Sequence, residues 1–359
     1  MEIVNLAAAL ALAFTPLDPS ACYSTQEIAF ASVDPEISIA GEVISPSGGP
    51  ERKPAVLLIT GSGPHTRDQV ISESPTFRML ADFFVRQGFV VMRTDARGFG
   101  GSTGPDNDSM TTTAERLNDN RAALVQLRAR PDVDPAGIVV FGHSEGAMIA
   151  SELASENPDL ALAILLSTSA IPGEDVFSYQ QSAGLRRRGM LNEATAVREQ
   201  LQRYARYLAS GRDDPAEFRA IAIDFLKAHG PGAADLDPAV GENALSGWLG
   251  ERWTRYFVGY DPRPALSRIQ SPVLAIYAEL DENTPAAEHM PSLVKALTEG
   301  QTKDFSAVLL PRQDHFYLEF EGESLPRHRP GEMQIAQELY DLISSETRRR
   351  FALPAPCVG

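Results

Sequence analysis

The sequence predicts an α/β protein whose central sheet is mostly parallel and flanked by helices. Its short apolar runs are continuous rather than alternating, which is typical of strands buried on both faces of a sheet. These runs occupy residues 55–60, 89–93, 138–141, 160–167, 271–278 and 306–310. Segments with helical spacing separate them, as at residues 77–87 and 113–130. Strands that alternate with helices favour parallel pairing, because parallel neighbours need crossover connections.

Two segments outside this alternation complete the predicted fold. Residues 24–30 and 37–44 have strand-like alternation on either side of Asp34 and Pro35, which predicts an antiparallel hairpin at the edge of the sheet. Residues 331–350 predict a final helix that covers one face of the sheet.

Length and composition exclude several classes of protein. With 359 residues, 43% hydrophobic and 22% charged, the chain suffices for one large domain with an insertion or for two domains. Its net charge of −16 repels phosphate backbones, so we predict no nucleic-acid partner. The basic runs at residues 186–188 and 348–350 are interpreted as solvated helix faces. No metal or other cofactor is predicted, because the six histidines are scattered and no C-x-x-C or H-x-x-x-H occurs.

The N-terminal segment, residues 1–22, has features of a secretory signal. Its apolar run at residues 6–14 is too short to span a bilayer, and cleavage is expected before Tyr23. A basic start is missing, so an N-terminal core helix is the alternative. We expect export to the periplasm or the medium and no membrane span. Cys22 and Cys357 then pair if the two termini meet, and two unrelated free thiols are the other interpretation.

The central motif is Gly-His-Ser-Glu-Gly at residues 142–146, between an apolar run and a segment of small residues. This pattern predicts a strand, a sharp turn and a helix, with Ser144 at the apex. A serine is a useful nucleophile only when it is exposed beside a base, and such a turn exposes it. Gly142 and Gly146 allow the helix and the strand to approach closely. A glycine-containing turn without chemistry is the simpler alternative.

Two glycine-rich loops follow the first two buried strands. The Gly-Ser-Gly-Pro turn around Ser62 can present a backbone N–H to a developing oxyanion. We predict the amides of Ser62 and of Glu145 as the two donors, with a plain strand-ending turn as the alternative. Residues 95–104 form no phosphate cradle, because no G-x-x-x-x-G-K is present. We expect Asp95 and Arg97 to pair and to shape this second loop.

A histidine and a carboxylate that could activate the serine follow the last two predicted strands. His315 lies in the loop after residues 306–310, at the sheet edge where a base is needed. A carboxylate after residues 271–278 would hold the histidine in the right tautomer and stabilise its cation. The candidates are Asp281, its neighbours Glu279 and Glu282, and the remoter Glu174 and Asp175. The histidines without comparable placement are His65, His229, His289 and His328, while His143 is expected to pack locally.

Residues 171–266 change character and predict an insertion. They are helical and polar, and they are far longer than an ordinary crossover. We predict a helical cap over the active site, inserted between the two parts of the core at residues 23–170 and 267–359. A second domain with its own role is the alternative. The insertion carries an aromatic cluster, part of which is cap core, and from which we expect an acyl or aryl pocket formed by Trp253, Tyr256 and Phe257.

Three motifs together resemble the α/β-hydrolase superfamily: residues 61–68, 95–104 and 142–146. More narrowly, they resemble bacterial, often exported, esterase-like members near the dienelactone hydrolase and prolyl oligopeptidase branches. The resemblance covers about residues 24–320 and implies a Ser-acid-His triad in that chain order. Residues 279–285 match the acid loop of the family, which implies Asp281 as the acid. Thr60 departs from the histidine that many relatives have at this position.

The predicted function is a serine hydrolase that cleaves small-molecule carboxylic esters through an acyl-enzyme, without a cofactor. A peptidase or a thioesterase would use the same residues. A dehalogenase or epoxide hydrolase is disfavoured, because those enzymes have an aspartate in place of Ser144. A non-catalytic ligand-binding member of the fold is the alternative from a different class.

Overall fold

The computed structural model describes residues 22–249, 251–320 and 330–355. The predicted signal segment before Cys22, and the side chains of His328 and Cys357, lie outside these residues. The strands, in chain order, are β1 (Tyr23–Ala31), β2 (Ser38–Pro46), β3 (Lys53–Ile59), β4 (Val70–Ile71), β5 (Ser74–Pro75), β6 (Val90–Thr94), β7 (Val133–His143), β8 (Leu162–Leu166), β9 (Val273–Ala278), β10 (Phe305–Leu310), β11 (Leu318–Glu319) and β12 (Gln334–Ile335).

The helices lie between and after these strands. In chain order they are α1 (Thr76–Arg86), α2 (Thr113–Arg128), α3 (Glu145–Glu156), α4 (Gly173–Arg187), α5 (Leu191–Ala209), α6 (Pro215–Ala228), α7 (Pro231–Ala234), α8 (Pro238–Ser246), α9 (Arg252–Gly259), α10 (Arg263–Arg268), α11 (Ala286–Glu299) and α12 (Gln337–Arg350). Among the described helices, none combines the length and the apolar character needed to cross a membrane.

Eight strands form one sheet in the order β1-β2-β6-β3-β7-β8-β9-β10. β1 pairs antiparallel with β2, and β2 pairs antiparallel with β6, so the predicted edge hairpin is confirmed. The remaining pairs, from β6 through β3, β7, β8 and β9 to β10, are all parallel. The carboxyl ends of these parallel strands meet at one edge, where the loops that carry Ser144, Asp281 and His315 begin.

Apolar layers cover both faces of the sheet. Leu57 and Leu58 are neighbours on β3, yet they belong to opposite clusters and are both fully buried. One layer is completed by α2, α3 and α11, and the other by α1 and α12. Because both faces are covered, neither set of alternating side chains meets water, and the strands therefore have continuous apolar sequences.

Helices α4 to α10 lie between β8 and β9, and we call them the helical insertion. Buried side chains from α4, α5, α6, α8 and α9, such as Leu201 and Tyr204, form a separate apolar cluster. One predicted boundary near the C terminus was wrong. Residues 334–335 form the short strand β12, and α12 begins only at Gln337. Ile335 is buried in register with Leu318 of β11, so this segment is extended and not helical.

Candidate active site

Ser144 lies between β7 and α3 in a strained conformation. Its φ is 56° and its ψ is −120°, a positive φ that side chains other than glycine rarely adopt. The amide of Ser144 donates a 2.9 Å hydrogen bond to the carbonyl of Leu166 at the end of β8, which anchors the turn to the sheet. The turn therefore holds the serine side chain away from both the strand and the helix, as a nucleophile turn requires.

The two glycines of the motif are required by close backbone contacts. A Cβ on Gly142 would lie 2.1 Å from the carbonyl oxygen of Gly146, and a Cβ on Gly146 would lie 2.1 Å from that of Ile59. Neither backbone neighbour can move without displacing a central strand or α3. The predicted close approach of helix and strand is thus confirmed at both positions.

Asp281 follows β9 and is 3% exposed. Oδ1 accepts hydrogen bonds of 2.8 Å from the amides of Asn283 and Thr284. Oδ2 accepts from the hydroxyls of Ser167, at 2.7 Å, and Thr284, at 2.8 Å. Burial alone raises the pKa of Asp281, but the imidazole of His315 and these donors outweigh it and hold the pKa well below its ordinary value. Asp281 is therefore a carboxylate at neutral pH.

His315 follows β10, and its Nδ1 lies 2.8 Å from Oδ2 of Asp281. A carboxylate can only accept, so Nδ1 carries the hydrogen and Nε2 of the neutral ring is free to accept a proton. His315 and Ser144 line the same cavity. Within the described residues, no hydrogen bond joins the serine hydroxyl to the imidazole, and such bonds commonly tighten only when substrate binds.

The competing carboxylates lie elsewhere. Glu279 accepts a hydrogen bond from the amide of Arg312, and Glu282 pairs with Arg187 on the surface. The remoter pair also has other partners, since Glu174 pairs with Arg206 and Asp175 accepts from Gln202. Among the five candidates, only Asp281 contacts His315.

The cavity beside Ser144 has a volume of about 230 Å³. Most of the side chains that line it are polar, and α4 of the helical insertion contributes one of them. The lining residues are Gly61, Ser62, His65, Gln69, Ile71, His143, Ser144, Gln180, Asn283, His315 and Phe316. Gln180 also ties α4 to the acid loop, because its Nε2 donates a 2.9 Å hydrogen bond to the carbonyl of Asn283.

The aromatic residues predicted to form the pocket, Trp253, Tyr256 and Phe257, do not line this cavity. Trp253 and Phe257 stack with ring centroids 4.7 Å apart, and they pack together with Met148 of α3. Tyr256 stacks against Tyr260. The prediction is corrected accordingly: Trp253 and Phe257 fill the contact between the helical insertion and the core, where large apolar surfaces are needed for packing.

The loop around Ser62 lies against the nucleophile turn. A Cβ on Gly61 would be only 3.4 Å from Cβ of Ser144. Arg116 of α2 donates hydrogen bonds of 3.1 and 3.0 Å to the carbonyls of Gly61 and Gly63, which fixes the path of this loop. Within the described part of the chain, the amides of Ser62 and Glu145 donate to no protein acceptor. Whether these two amides bind an oxyanion is part of the proposed function below.

The expected pairing of Asp95 with Arg97 was wrong. Asp95 accepts from Arg67, whose Nη2 lies 2.9 Å from Oδ2, and Arg97 donates to Asp119 of α2 at 2.7 Å. The two side chains belong to different clusters, because Asp95 turns towards Gly101, whose amide it also accepts at 3.0 Å. Both residues still shape the loop, but each does so through a more distant partner.

Comparisons with known proteins agree with this fold. Residues 65–236 match the family model for serine aminopeptidase, S33. The Pyrococcus furiosus esterase Pf2001 is 15% identical, with a TM-score of 0.53, and the match covers 91% of this chain and 90% of that one. A putative dipeptidyl aminopeptidase IV from Bacteroides ovatus is 14% identical, with a TM-score of 0.54, over 93% of this chain and 37% of that one. The chain thus has the α/β-hydrolase fold, and over residues 65–236 it is similar to the serine aminopeptidase, S33, family.

One similar sequence is the esterase EstD of Thermotoga maritima. The two are 32% identical over 170 residues, which are 46% of this chain and 39% of that esterase. The chain thus spans about two fifths of the length of this curated relative.

Proposed function

We propose that the protein is a serine hydrolase that cleaves carboxylic esters through an acyl-enzyme. One observation carries the proposal: His315, which is paired with the buried Asp281, lines the same cavity as Ser144, and Ser144 is held in a strained turn. Nucleophile, base and orienting acid are the three groups that this chemistry requires. The similarity to esterases supports the choice of an ester bond.

In the proposed mechanism, Ser144 Oγ attacks the ester carbonyl while Nε2 of His315 accepts the hydroxyl proton. Asp281 stabilises the imidazolium through the hydrogen bond to Nδ1. The amides of Ser62 and Glu145 donate to the oxyanion. His315 returns the proton to the leaving alcohol, and a water molecule activated by the same histidine then releases the acid from Ser144.

The cavity favours a short acyl group. Its volume of about 230 Å³ is below the roughly 300–1,000 Å³ of typical drug-sized ligand pockets. Gln180 and Asn283 add amide groups to the wall, whereas Ile71 and Phe316 are its apolar side chains. A long alkyl chain would shield these half-buried amides from water, which is unfavourable. We therefore propose short, small-molecule esters as substrates.

A peptidase is the second candidate, because the matching family model describes a serine aminopeptidase. An acyl thioesterase would use the same three side chains. A non-catalytic binding protein would have no use for a buried, ionised Asp281 that orients His315.

The test is hydrolysis of p-nitrophenyl esters from C2 to C12 by the wild-type protein and by Ser144→Ala. We expect the highest kcat/KM at C2 to C4, and a loss of at least about 10³-fold in kcat for the variant. A fluorophosphonate probe should label only the wild type. Absence of both ester turnover and labelling in the folded protein would contradict a serine hydrolase. Labelling with turnover of peptide or thioester substrates alone would instead favour the second candidates.

We also propose that the protein is exported. Cys22 is disulfide-bonded, and residues 352–355 of the C-terminal tail line a surface pocket with it. Disulfides persist mainly in oxidising compartments, which supports export. Fractionation of cells that express the full chain, followed by N-terminal sequencing, tests this: an exported product that starts upstream of Cys22 and retains it is expected, and an unprocessed cytoplasmic product would contradict it.

A further inference from the structure

Three hydrogen bonds in series connect the loop around Ser62 to the loop of His315. The amide of Gly61 donates to Oε1 of Gln69 at 2.7 Å. Nε2 of Gln69 lies 3.1 Å from Nδ1 of His143. Nε2 of His143 lies 2.8 Å from the carbonyl oxygen of His315. We call this series the Gln69–His143 bridge.

Only one arrangement of hydrogens satisfies the bridge. The carbonyl of His315 can only accept, so Nε2 of His143 carries a hydrogen and donates it. Nδ1 of a neutral imidazole is then an acceptor, and it takes a hydrogen from the amide nitrogen of Gln69. The oxygen of Gln69 in turn accepts from Gly61. Each donor in the bridge thus faces an acceptor. The network therefore fixes which way the side-chain amide of Gln69 points and which ring nitrogen of His143 carries the hydrogen.

Burial keeps the central histidine neutral. Gln69 is 3% exposed and His143 is 4% exposed. Desolvation and the nearby ring of His315 lower the pKa of His143 to about 3, against weaker opposite effects of the hydrogen bond to the backbone of His315 and of Asp281. The ring of His143 lies 4.8 Å from that of His315, between centroids, so the two histidines pack directly as well as through the carbonyl.

Each end of the bridge holds a group that the proposed chemistry uses. At one end, the Gly61 amide is bound to Gln69, while the next amide along the chain, that of Ser62, remains free for an oxyanion. At the other end, the fixed carbonyl of His315 sets the position of the residue whose side chain binds Asp281. A purely structural role would not require that the loop of Ser62 be joined to the loop of His315.

The backbone of Gln69 is also strained, with φ at 40°. The conformation is held by Thr76, whose hydroxyl donates a 2.7 Å hydrogen bond to the carbonyl of Gln69. Strain of this kind costs on the order of 1–3 kcal/mol and persists only where surrounding contacts impose it. At Gln69 the strained backbone directs the side-chain amide into the space between Gly61 and His143.

We infer that Gln69 and His143 are positioning residues, which hold the oxyanion donor and the catalytic base at a fixed separation around Ser144. The inference rests on the proposed function. It assigns to His143 a role beyond the local packing expected from sequence, and to Gln69 a role that no motif indicated.

The test compares kcat and KM of the wild type with those of His143→Leu, His143→Gln and Gln69→Met. Rates are expressed per active site titrated with a fluorophosphonate, so that partial unfolding does not count as loss of function. We expect the Leu and Met variants to lose about 10- to 100-fold in kcat with KM within about threefold, since misplacement of about 1 Å can have this effect. His143→Gln keeps a terminal N–H donor and should recover most of the rate.

The double variant His143→Leu, Gln69→Met should lose about as much as either single variant, because the first substitution already breaks the bridge. His229→Leu is the matched control, since His229 also has a hydrogen-bonded ring but lies in the helical insertion. It should leave kcat unchanged. Should the Met variant not fold, Gln69→Asn keeps an amide but shortens the side chain by one methylene, so that it cannot reach both Gly61 and His143; it should also lower kcat at least 10-fold.

A kcat per titrated site within about threefold of wild type in the Leu and Met variants, or additive losses in the double variant, would overturn the inference. The proposed function would be untouched by that result. Absence of ester turnover and of labelling in the wild type would instead remove both.

Discussion

The indole nitrogen of Trp253 donates a 2.8 Å hydrogen bond to Oε1 of Glu145, the residue directly after Ser144. This contact joins α9 of the helical insertion to the first residue of α3. Glu145 is 3% exposed, and Thr113 of α2 donates to the same oxygen. Within the described residues, Oε2 of Glu145 has no hydrogen-bond partner, and the nearest cation is Arg116, at 3.8 Å. The insertion is thus tied to the nucleophile turn through an incompletely satisfied buried carboxylate.

Trp253→Phe is expected to destabilise the protein by about 1–3 kcal/mol, because it removes a donor from a buried carboxylate that already lacks one. Urea unfolding of the variant measures this change. Trp248→Phe is the matched control, since Trp248 packs against Phe177 and Tyr204 inside the insertion and does not contact Glu145. Equal stability losses in the two variants would contradict a specific role for the hydrogen bond.

Asp281→Asn is expected to lower kcat by about 10⁴-fold, because an amide would favour the wrong tautomer of His315 and could not stabilise its cation. Ester hydrolysis per titrated site measures the loss. Glu282→Gln changes a neighbouring carboxylate that pairs with Arg187 on the surface, and it should stay within about twofold of wild type. A larger loss for Glu282→Gln than for Asp281→Asn would contradict the assignment of the acid.

Gly146→Ala and Gly184→Ala should change stability in opposite directions. The methyl group at residue 146 would lie 2.1 Å from the carbonyl oxygen of Ile59, so we expect a loss of at least about 3 kcal/mol or no folding. Gly184 is an exposed residue inside α4 with nothing within 4 Å of the added atom. Alanine there should add up to about 1 kcal/mol through helix propensity. Thermal melts of both variants provide the comparison, and a neutral Gly146→Ala would refute the close packing.

Stability should fall as the pH falls from about 6.5 towards 4.5. Burial lowers the pKa of His143 to about 3 and that of His289 to about 4, both below the ordinary value near 6.5. The unfolded chain therefore binds more protons than the folded one in this range, and the free energy of unfolding decreases by up to about 1.4 kcal/mol per pH unit for each histidine. Urea unfolding at several pH values measures the slope.

His143→Gln removes one of these two groups and should reduce the slope by about half. An unchanged slope would show that the folded protein accommodates a charged His143. The pKa of Asp281 is depressed in the folded protein, so its contribution to the free energy of unfolding is lost only below the pKa of an unfolded carboxyl, near 4. Asp281 therefore does not affect the slope in this pH range.

The sheet and the nucleophile turn could be predicted because their sequence requirements are local. Burial on both faces forces an apolar residue at each position from 55 to 59 of β3, and the backbone contact of Gly146 with Ile59 forces a glycine. The choice of Asp281 over Glu279 needed the resemblance to a family, since both follow the same strand. In the structure, Asp281 makes the hydrogen bond to His315 and Glu279 does not.

The remaining site features depend on contacts between distant residues, which leave no local pattern. Gln69 sits in an irregular loop, and its partner His143 is 74 positions away. The partners of Asp95 and Arg97 are likewise set by the course of the chain. The pocket predicted from the aromatic residues of α9 differs from the observed cavity for another reason. An aromatic ring that packs between the helical insertion and the core is as apolar as one that lines a pocket. The residue types of Trp253 and Phe257 therefore do not distinguish the two roles.

The position of the helical insertion between β8 and β9 has a consequence for how such a protein can evolve. Helices α4 to α9 begin and end side by side, because the amide of Gly173 donates a 2.8 Å hydrogen bond to the carbonyl of Tyr260. A much shorter or entirely different segment could bridge the same gap without altering any strand pairing. The sheet and helices α4 to α9 are therefore separable parts of the chain, and this segment can be shortened or exchanged while Ser144, Asp281 and His315 keep their positions.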